Sequence, residues 1–278
     1  MQAPRTTHHQ AFAVRPEAKA AIIDAVTQAS RALLGMWPGR PGAPRPVTTM
    51  KADNTAVSMA DLASQAILLD GLRSVGHDEV VVTEEDVRTH TLSASTVWFV
   101  DPLDGTRQYL SGSRDFAVLV SGWSSGKPVY SVAGFPANGI LAVADGTTVT
   151  HIGPEAGGRP TVHAVYCDPP GLRGALGSGT EYLVDCYEST RVLVEVARRY
   201  ARGAVVEMCG HRAWDIAAPI HLITAAGGCV TDEQGRTVSL TTPQVQARYL
   251  VAATDASTHR ALLDALSDPT DRKDPEQR

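Results

Sequence analysis

Asp101-Pro102-Leu103-Asp104-Gly105-Thr106 is the stretch of this 278-residue chain best suited to chemistry. Two carboxylates three residues apart in a tight Pro/Gly loop can converge on one point, and the carbonyl of Leu103 can join them. Oxygen-only ligands suit a hard cation such as Mg²⁺. Gly105 and Thr106 then open a short helical segment, whose backbone N–H groups can receive a phosphate. A metal site beside an anion site is what phosphoryl chemistry requires. Taken alone, the same residues also suit an ordinary acidic turn, because Asp-Pro and Asp-Gly are frequent turn pairs. An EF-hand does not fit: Pro102 and Leu103 fill positions that such a loop gives to other residue types, and no Glu follows at the required spacing.

Three further blocks change that balance. Val80-Val81-Val82-Thr83 reads as a strand ending in Glu84-Glu85-Asp86. Earlier lies Lys51-Ala52-Asp53-Asn54-Thr55-Ala56-Val57-Ser58-Met59-Ala60-Asp61. Downstream, Trp214-Asp215-Ile216-Ala217-Ala218 precedes Ala225-Ala226-Gly227-Gly228. In this order the four blocks resemble the inositol monophosphatase superfamily of metal-dependent phosphatases, over residues 17–267. The resemblance implies an α/β protein, an αβαβα sandwich of the sugar-phosphatase type, working with two or three Mg²⁺ ions. It implies that Glu84, Asp101 and the Leu103 carbonyl hold a first metal. Asp101 then bridges to a second, held also by Asp104 and Asp215. Asp61 and Thr106 match the pair that orients the attacking water, with Glu84 beside them in the catalytic set, and Gly105 and Thr106 face the phosphate. Glu85 is either near a weaker third metal or outside the coordination sphere. Lys51 is either near the phosphate or a solvated loop lysine. Each acid also has a plainer use: Glu84-Glu85-Asp86 as a solvated strand end, and Asp61 and Asp215 as first-turn helix acids facing the macrodipole.

The substrate side is less uniform. Val206-Glu207-Met208 resembles the segment where inositol monophosphatases place an acid that binds a substrate hydroxyl. Glu207, however, lies eight residues before Asp215, one more than the usual spacing, and Cys209-Gly210 can absorb the extra residue. His211 and Arg212 either reach a substrate hydroxyl or second phosphate, or cap the following helix. Glu188-Ser189 falls where the family usually has Gly-Ser. The block from Lys51 to Asp61 looks more like bacterial bisphosphate nucleotidases and histidinol-phosphate phosphatases, whereas the Glu207 segment points toward inositol-type polyols. The expected activity is Mg²⁺-dependent hydrolysis of a small, hydroxyl-rich phosphate monoester (an inositol, sugar or nucleoside phosphate) by metal-activated water. A 3′(2′),5′-bisphosphate nucleotidase or histidinol-phosphate phosphatase is the alternative. A non-catalytic ligand-binding or regulatory member is a third reading, against which the intact Glu84, Asp101, Asp104, Thr106 and Asp215 set stands.

These residues need elements to hold them. Apolar residues recur at helical spacing from Pro16 to Trp37, and Ser58 suits the N-cap of a helix carrying Leu62, Ile67, Leu68 and Leu72. Val97–Val100 reads as a buried strand running into the acidic loop. Phe116–Trp123, Val129–Phe135 and Ile140–Ala144 read as successive strands. A strand over Thr161–Tyr166 and a Pro/Gly-rich link over Asp168–Gly179 follow. Then come a helix over Ser189–Arg202, a strand over Ala204–Met208, a helix over Trp214–Ala226, a strand over Tyr249–Thr254 and a helix over Ser257–Leu266. Two subdomains are expected, 15–152 with most metal ligands and 160–267 with Asp215 and the substrate side, between tails at 1–14 and 268–278. Composition is ordinary for a globular protein, 43% apolar and 20% charged with net charge −5. No basic stripe with interleaved aromatics supports a nucleic-acid polymer as partner, no apolar run reaches membrane-spanning length, and the N-terminus lacks a secretory apolar core. Cys167, Cys186, Cys209 and Cys229 show no CxxC spacing, so free thiols in a cytoplasmic protein are expected. A homodimer is usual among proteins with this resemblance.

Overall fold

The computed structural model describes residues 13–43, 47–50, 56–73, 80–86, 96–153, 161–176, 179–185 and 188–267. Lys51, Cys186 and the C-terminal tail lie outside them. In chain order the elements are α1 (Pro16–Met36), β1 (Thr48–Met50), β2 (Ala56–Ser58), α2 (Met59–Leu72), β3 (Val80–Thr83), β4 (Thr96–Asp104), α3 (Thr106–Leu110), β5 (Ala117–Ser124), β6 (Lys127–Phe135), β7 (Ile140–Asp145), β8 (Thr148–Ile152), β9 (Thr161–Val165), α4 (Pro170–Ala175), β10 (Glu181–Asp185), α5 (Ser189–Ala197), β11 (Gly203–Glu207), α6 (Ala213–Ala225), β12 (Cys229–Asp232), β13 (Tyr249–Ala253) and α7 (Ala256–Leu266). No helix among them is long and apolar enough to cross a membrane.

A six-stranded sheet runs β3-β4-β5-β6-β7-β8, and a five-stranded sheet runs β10-β9-β11-β13-β12. Helices α1 and α2 cover one face of the larger sheet; α6 covers its other face, with α5 packed beside it on the smaller sheet; α4 and α7 close the far side. The layers are thus αβαβα. Strand alternation explains the order. On β4, Trp98 and Val100 join the core under α1 with Ile22, Val26 and Leu33, while Val97 and Phe99 join the central core with Leu193, Ile216 and Ile220. That central core also takes Val206, Leu250 and Ala252 from the smaller sheet, so α5 and α6 are buried on two sides. The near-uniform apolarity of α6 follows, since a helix between two sheets has little solvent face.

Several boundaries differ from expectation. Val14, assigned to the N-terminal tail, is buried against the α1 core. The helix expected over Ser189–Arg202 stops at Ala197. The Asp168–Gly179 link contains α4, whose Leu172 is fully buried with Leu262 and Ala265 of α7. Cys167, Cys209 and Cys229 are free thiols.

Candidate active site

A defect in β4 builds the acidic centre. From Asp101 to Asp104 this strand advances three residues while β5 recedes only two, from Leu119 to Ala117. The extra residue is a β-bulge, and the expected loop is a distorted strand end. In an unbroken strand, residues three apart point to opposite faces. The bulge resets the alternation, so Leu103 follows Trp98 and Val100 into the α1 core. Asp101 and Asp104 are left together, and Asp215 of α6 meets them. One carboxylate oxygen from each of the three lies within 4.8 Å of the others. Glu84 stands just beyond β3, whose parallel pairing with β4 continues through the Glu84 N–H to the Val100 carbonyl at 3.2 Å.

The three aspartates strain against one another. Burial holds Asp101 well above the usual carboxylate range, and the charges of Glu84, Asp104 and Asp215 push it further. Burial lifts Asp104 to about 7, against the pull of the Thr190 hydroxyl and with help from Glu84. Asp215 is raised by burial and then by Asp104. Asp104 Oδ2 is buried with no hydrogen-bond partner among the described residues. A buried, all-oxygen donor set with an orphaned oxygen and surplus negative charge fits a hard divalent cation.

Local backbone N–H groups fix Asp101, Asp215 and Asp61 each by one oxygen. Asp101 Oδ1 accepts the Leu103 N–H at 3.0 Å, and Asp215 Oδ2 accepts the Arg212 N–H at 2.7 Å. Asp61 Oδ2 accepts the Ser58 N–H at 2.8 Å and the Ser58 hydroxyl at 2.6 Å, while Ser58 Oγ caps α2 through the Ala60 N–H at 3.1 Å. The other Asp61 oxygen, Oδ1, is 3.0 Å from Thr106 Oγ1, which is also 3.0 Å from the Leu103 carbonyl. One hydroxyl proton serves one strong bond at a time, and a charged carboxylate outcompetes a carbonyl. Asp215 gains a further tether from sequence chemistry. Pro219, four residues on, lacks the N–H that would bond the Asp215 carbonyl, and Thr190 of α5 donates to it at 3.2 Å instead.

Asp61, Asp101, Leu103, Asp104, Thr106 and Asp215 are thus brought together, with Glu84 near enough for its charge to bear on the three aspartates. Glu85 is half-buried on the turn after β3 and is not among the three close carboxylates. Glu207 ends β11 with its charge bearing on Cys167, whose thiol burial and Glu207 push up to about 12. His211 Nε2 lies 2.9 Å from Ser189 Oγ, and Nδ1 is buried without a partner among the described residues. Arg212 is the residue before α6 and serves Asp215 through its backbone. Sequence reasoning passed over Thr190, and noted Glu188 only as standing where the family usually has Gly. Pro219 at four residues from Asp215 signals the open carbonyl that Thr190 fills. Glu188 is drawn up to about 9 by burial and by Asp104 and Asp215, and its departure from the usual Gly-Ser was its signal.

The family model that matches the chain is the inositol monophosphatase family, over residues 16–153 and 173–269. The chain is 29% identical to the 3′(2′),5′-bisphosphate nucleotidase CysQ of Escherichia coli K12 over 207 residues, 69% of this chain and 82% of CysQ. It is 29% identical to a histidinol-phosphatase of Chlorobaculum parvum over 204 residues, 67% of this chain and 76% of that protein. The crystal structure of the extragenic suppressor protein SuhB from Bartonella henselae superposes with a TM-score of 0.73 at 22% identity, covering 91% of this chain and 99% of SuhB. Together with its layered fold, this match over most of its length places the chain in the inositol monophosphatase family.

Proposed function

We propose that this chain is a Mg²⁺-dependent phosphomonoesterase acting on a small, hydroxyl-rich phosphate ester. The observation that carries the reading is the Asp61–Thr106 contact of 3.0 Å set beside three mutually repelling aspartates. A binding protein has no use for a hydroxyl–carboxylate pair aimed next to a cation site. In this reading Asp101, Asp104, Asp215, Glu84 and the Leu103 carbonyl hold the cations. Bound Mg²⁺ would supply charge neutralisation at the phosphoryl oxygens and a more acidic water. Thr106 Oγ1 donates its proton to Asp61 Oδ1 and so presents a lone pair to the attacking water. Asp61 keeps that aim because Ser58 holds its other oxygen twice. As water loses a proton toward Thr106, the hydroxyl proton moves to Asp61. Glu207, His211 and Arg212 border the alcohol portion of the ester.

Removal of a 3′-phosphate from a bisphosphate nucleotide is the second reading, and the likeness to CysQ favours it. A phosphate-release screen with Mg²⁺ separates the two, run over inositol phosphates, sugar phosphates, histidinol phosphate, and 3′- and 5′-nucleotides, with an excess-chelator control. Release from one ester class that stops with chelator is expected. Full turnover by metal-stripped protein would refute the mechanism.

A further inference from the structure

Glu188 is an acid at the centre with no part in the scheme above. It precedes α5 with φ −61° and ψ 127°, and its side chain does not cap that helix. It lies over Gly105 instead: a Cβ on that glycine would stand 2.9 Å from Glu188 Cγ and 3.3 Å from Cδ. Gly105 joins Asp104 to Thr106, so the Glu188 carboxyl borders the place where the reacting phosphate must lie. The charges that bear on it are Asp104, Asp215 and Asp115 on one side and the exposed Arg107 on the other. Asp115 is engaged by Arg191 at 3.0 Å, and that guanidinium also holds Glu195 at 2.8 Å. Among the described residues no hydrogen bond reaches the Glu188 carboxyl.

A half-buried carboxyl without a donor is an acceptor awaiting one. Cations at Asp101, Asp104 and Asp215 would offset the negative charges of Asp104 and Asp215 that disfavour an ionised Glu188, and leave its carboxylate facing the group attached to the phosphate. Resting on the phosphomonoesterase reading, we propose that Glu188 is a specificity-determining residue. It accepts a hydrogen bond from a hydroxyl or ammonium on the ester's alcohol portion, and it turns away an alcohol portion that carries a second phosphate.

The test compares wild type, Glu188→Gln and Glu188→Ala in Mg²⁺, with kcat/KM for each ester divided by that for phenyl phosphate. The esters are inositol 1-phosphate, histidinol phosphate and adenosine 3′,5′-bisphosphate. A hydroxyl donor predicts that Glu188→Ala lowers the inositol ratio about 10- to 100-fold, the range of one charge-assisted hydrogen bond. An ammonium donor predicts that both Glu188→Gln and Glu188→Ala lower the histidinol ratio by that factor, since the charge is lost in each. In either case the bisphosphate ratio rises about tenfold in both variants, as like-charge repulsion is removed. The Mg²⁺ concentration for half-maximal rate stays at the wild-type value. Donor-ester ratios that both hold, a bisphosphate ratio that does not rise, or a shifted Mg²⁺ requirement overturns the assignment. Wild type that cleaves none of the esters refutes the phosphatase reading instead. Calorimetric binding of the same esters must then show the same order, and its loss in the variants, for the Glu188 assignment to stand.

Discussion

Asp104→Asn makes the metal-free protein more stable and weakens its stabilisation by Mg²⁺. The carboxyl of Asp104 sits at about 7 in the folded protein against an ordinary 3.8. Folding at pH 8 therefore forces an ionised group into a site that prefers the acid, at about 4 kcal/mol since each pH unit is worth about 1.36. Relaxation and water entry absorb part of that, so removing the charge returns about 2–4 kcal/mol. For a chain of this size the melting temperature rises by roughly 3–7 °C. The sign follows from proton binding. A raised folded pKa means that the native state takes up the proton first, so wild type itself gains stability as pH falls from 7 toward 3.8. The advantage of the variant is full above pH 7 and gone below pH 3.8. Mg²⁺ at a hundredfold excess over its Kd adds about 2.7 kcal/mol to wild type and less to the variant, which keeps Glu84, Asp101 and the Leu103 carbonyl. Calorimetric melts at pH 8 and pH 4, with chelator and with Mg²⁺, measure all four terms. A metal-free variant that melts below wild type at pH 8, or an advantage that persists at pH 4, refutes the reasoning.

Thr106→Val keeps the side-chain shape and removes the hydroxyl; kcat falls about 10²–10³-fold with little change in KM, while Thr106→Ser stays within about tenfold of wild type. Steady-state kinetics on the best ester from the screen checks both. Gly105→Ala loses at least about 2 kcal/mol in denaturant melts, from left-handed strain at φ 79° and a Cβ only 2.8 Å from the Asp115 carbonyl. His221→Phe tests a buried chain of hydrogen bonds. Trp123 Nε1 donates to Ser121 Oγ, and the chain continues through Ser131 Oγ to His221 Nδ1, leaving Nε2–H for the Gly146 carbonyl. The variant costs about 1–3 kcal/mol at pH 7.5. Burial lowers the His221 pKa, so wild-type stability from this group is full above about 6.5 and declines as pH falls below it. The deficit of the variant therefore shrinks at pH 5, and a deficit that grows there contradicts the neutral imidazole.

Periodicity and punctuation made the large pieces legible: α1 from its apolar spacing, α2 from Ser58, and the successive antiparallel strands from their turns. The acidic centre was legible because Asp101 and Asp104 are local in sequence. What was hidden depends on pairing between distant segments. Neither Asp101-Pro102-Leu103-Asp104 nor Ala117–Leu119 announces a bulge; it exists only in their mutual register. Pro170, Gly171 and Gly174 read as loop punctuation, yet burial of Leu172 under α7 makes that stretch a helix. The small sheet mixes parallel β9–β11 with antiparallel β11–β13, an order that no single segment encodes. Glu188 meets Gly105 across 83 positions of chain, and only the close approach of α5 to the β4 end brings them together.

The one-oxygen tethers on Asp101 and Asp215 bear on ionic size. A carboxylate pinned by a backbone N–H cannot swivel to clasp an ion with both oxygens evenly. Ca²⁺ draws on such two-handed grips to reach seven or eight oxygens at 2.3–2.6 Å, whereas Mg²⁺ needs six at about 2.1 Å and keeps some of its waters. Two hydrogen bonds spaced two and three residues from their acids thus act as a radius gauge written into local backbone, which a larger ion with the same charge fails to satisfy.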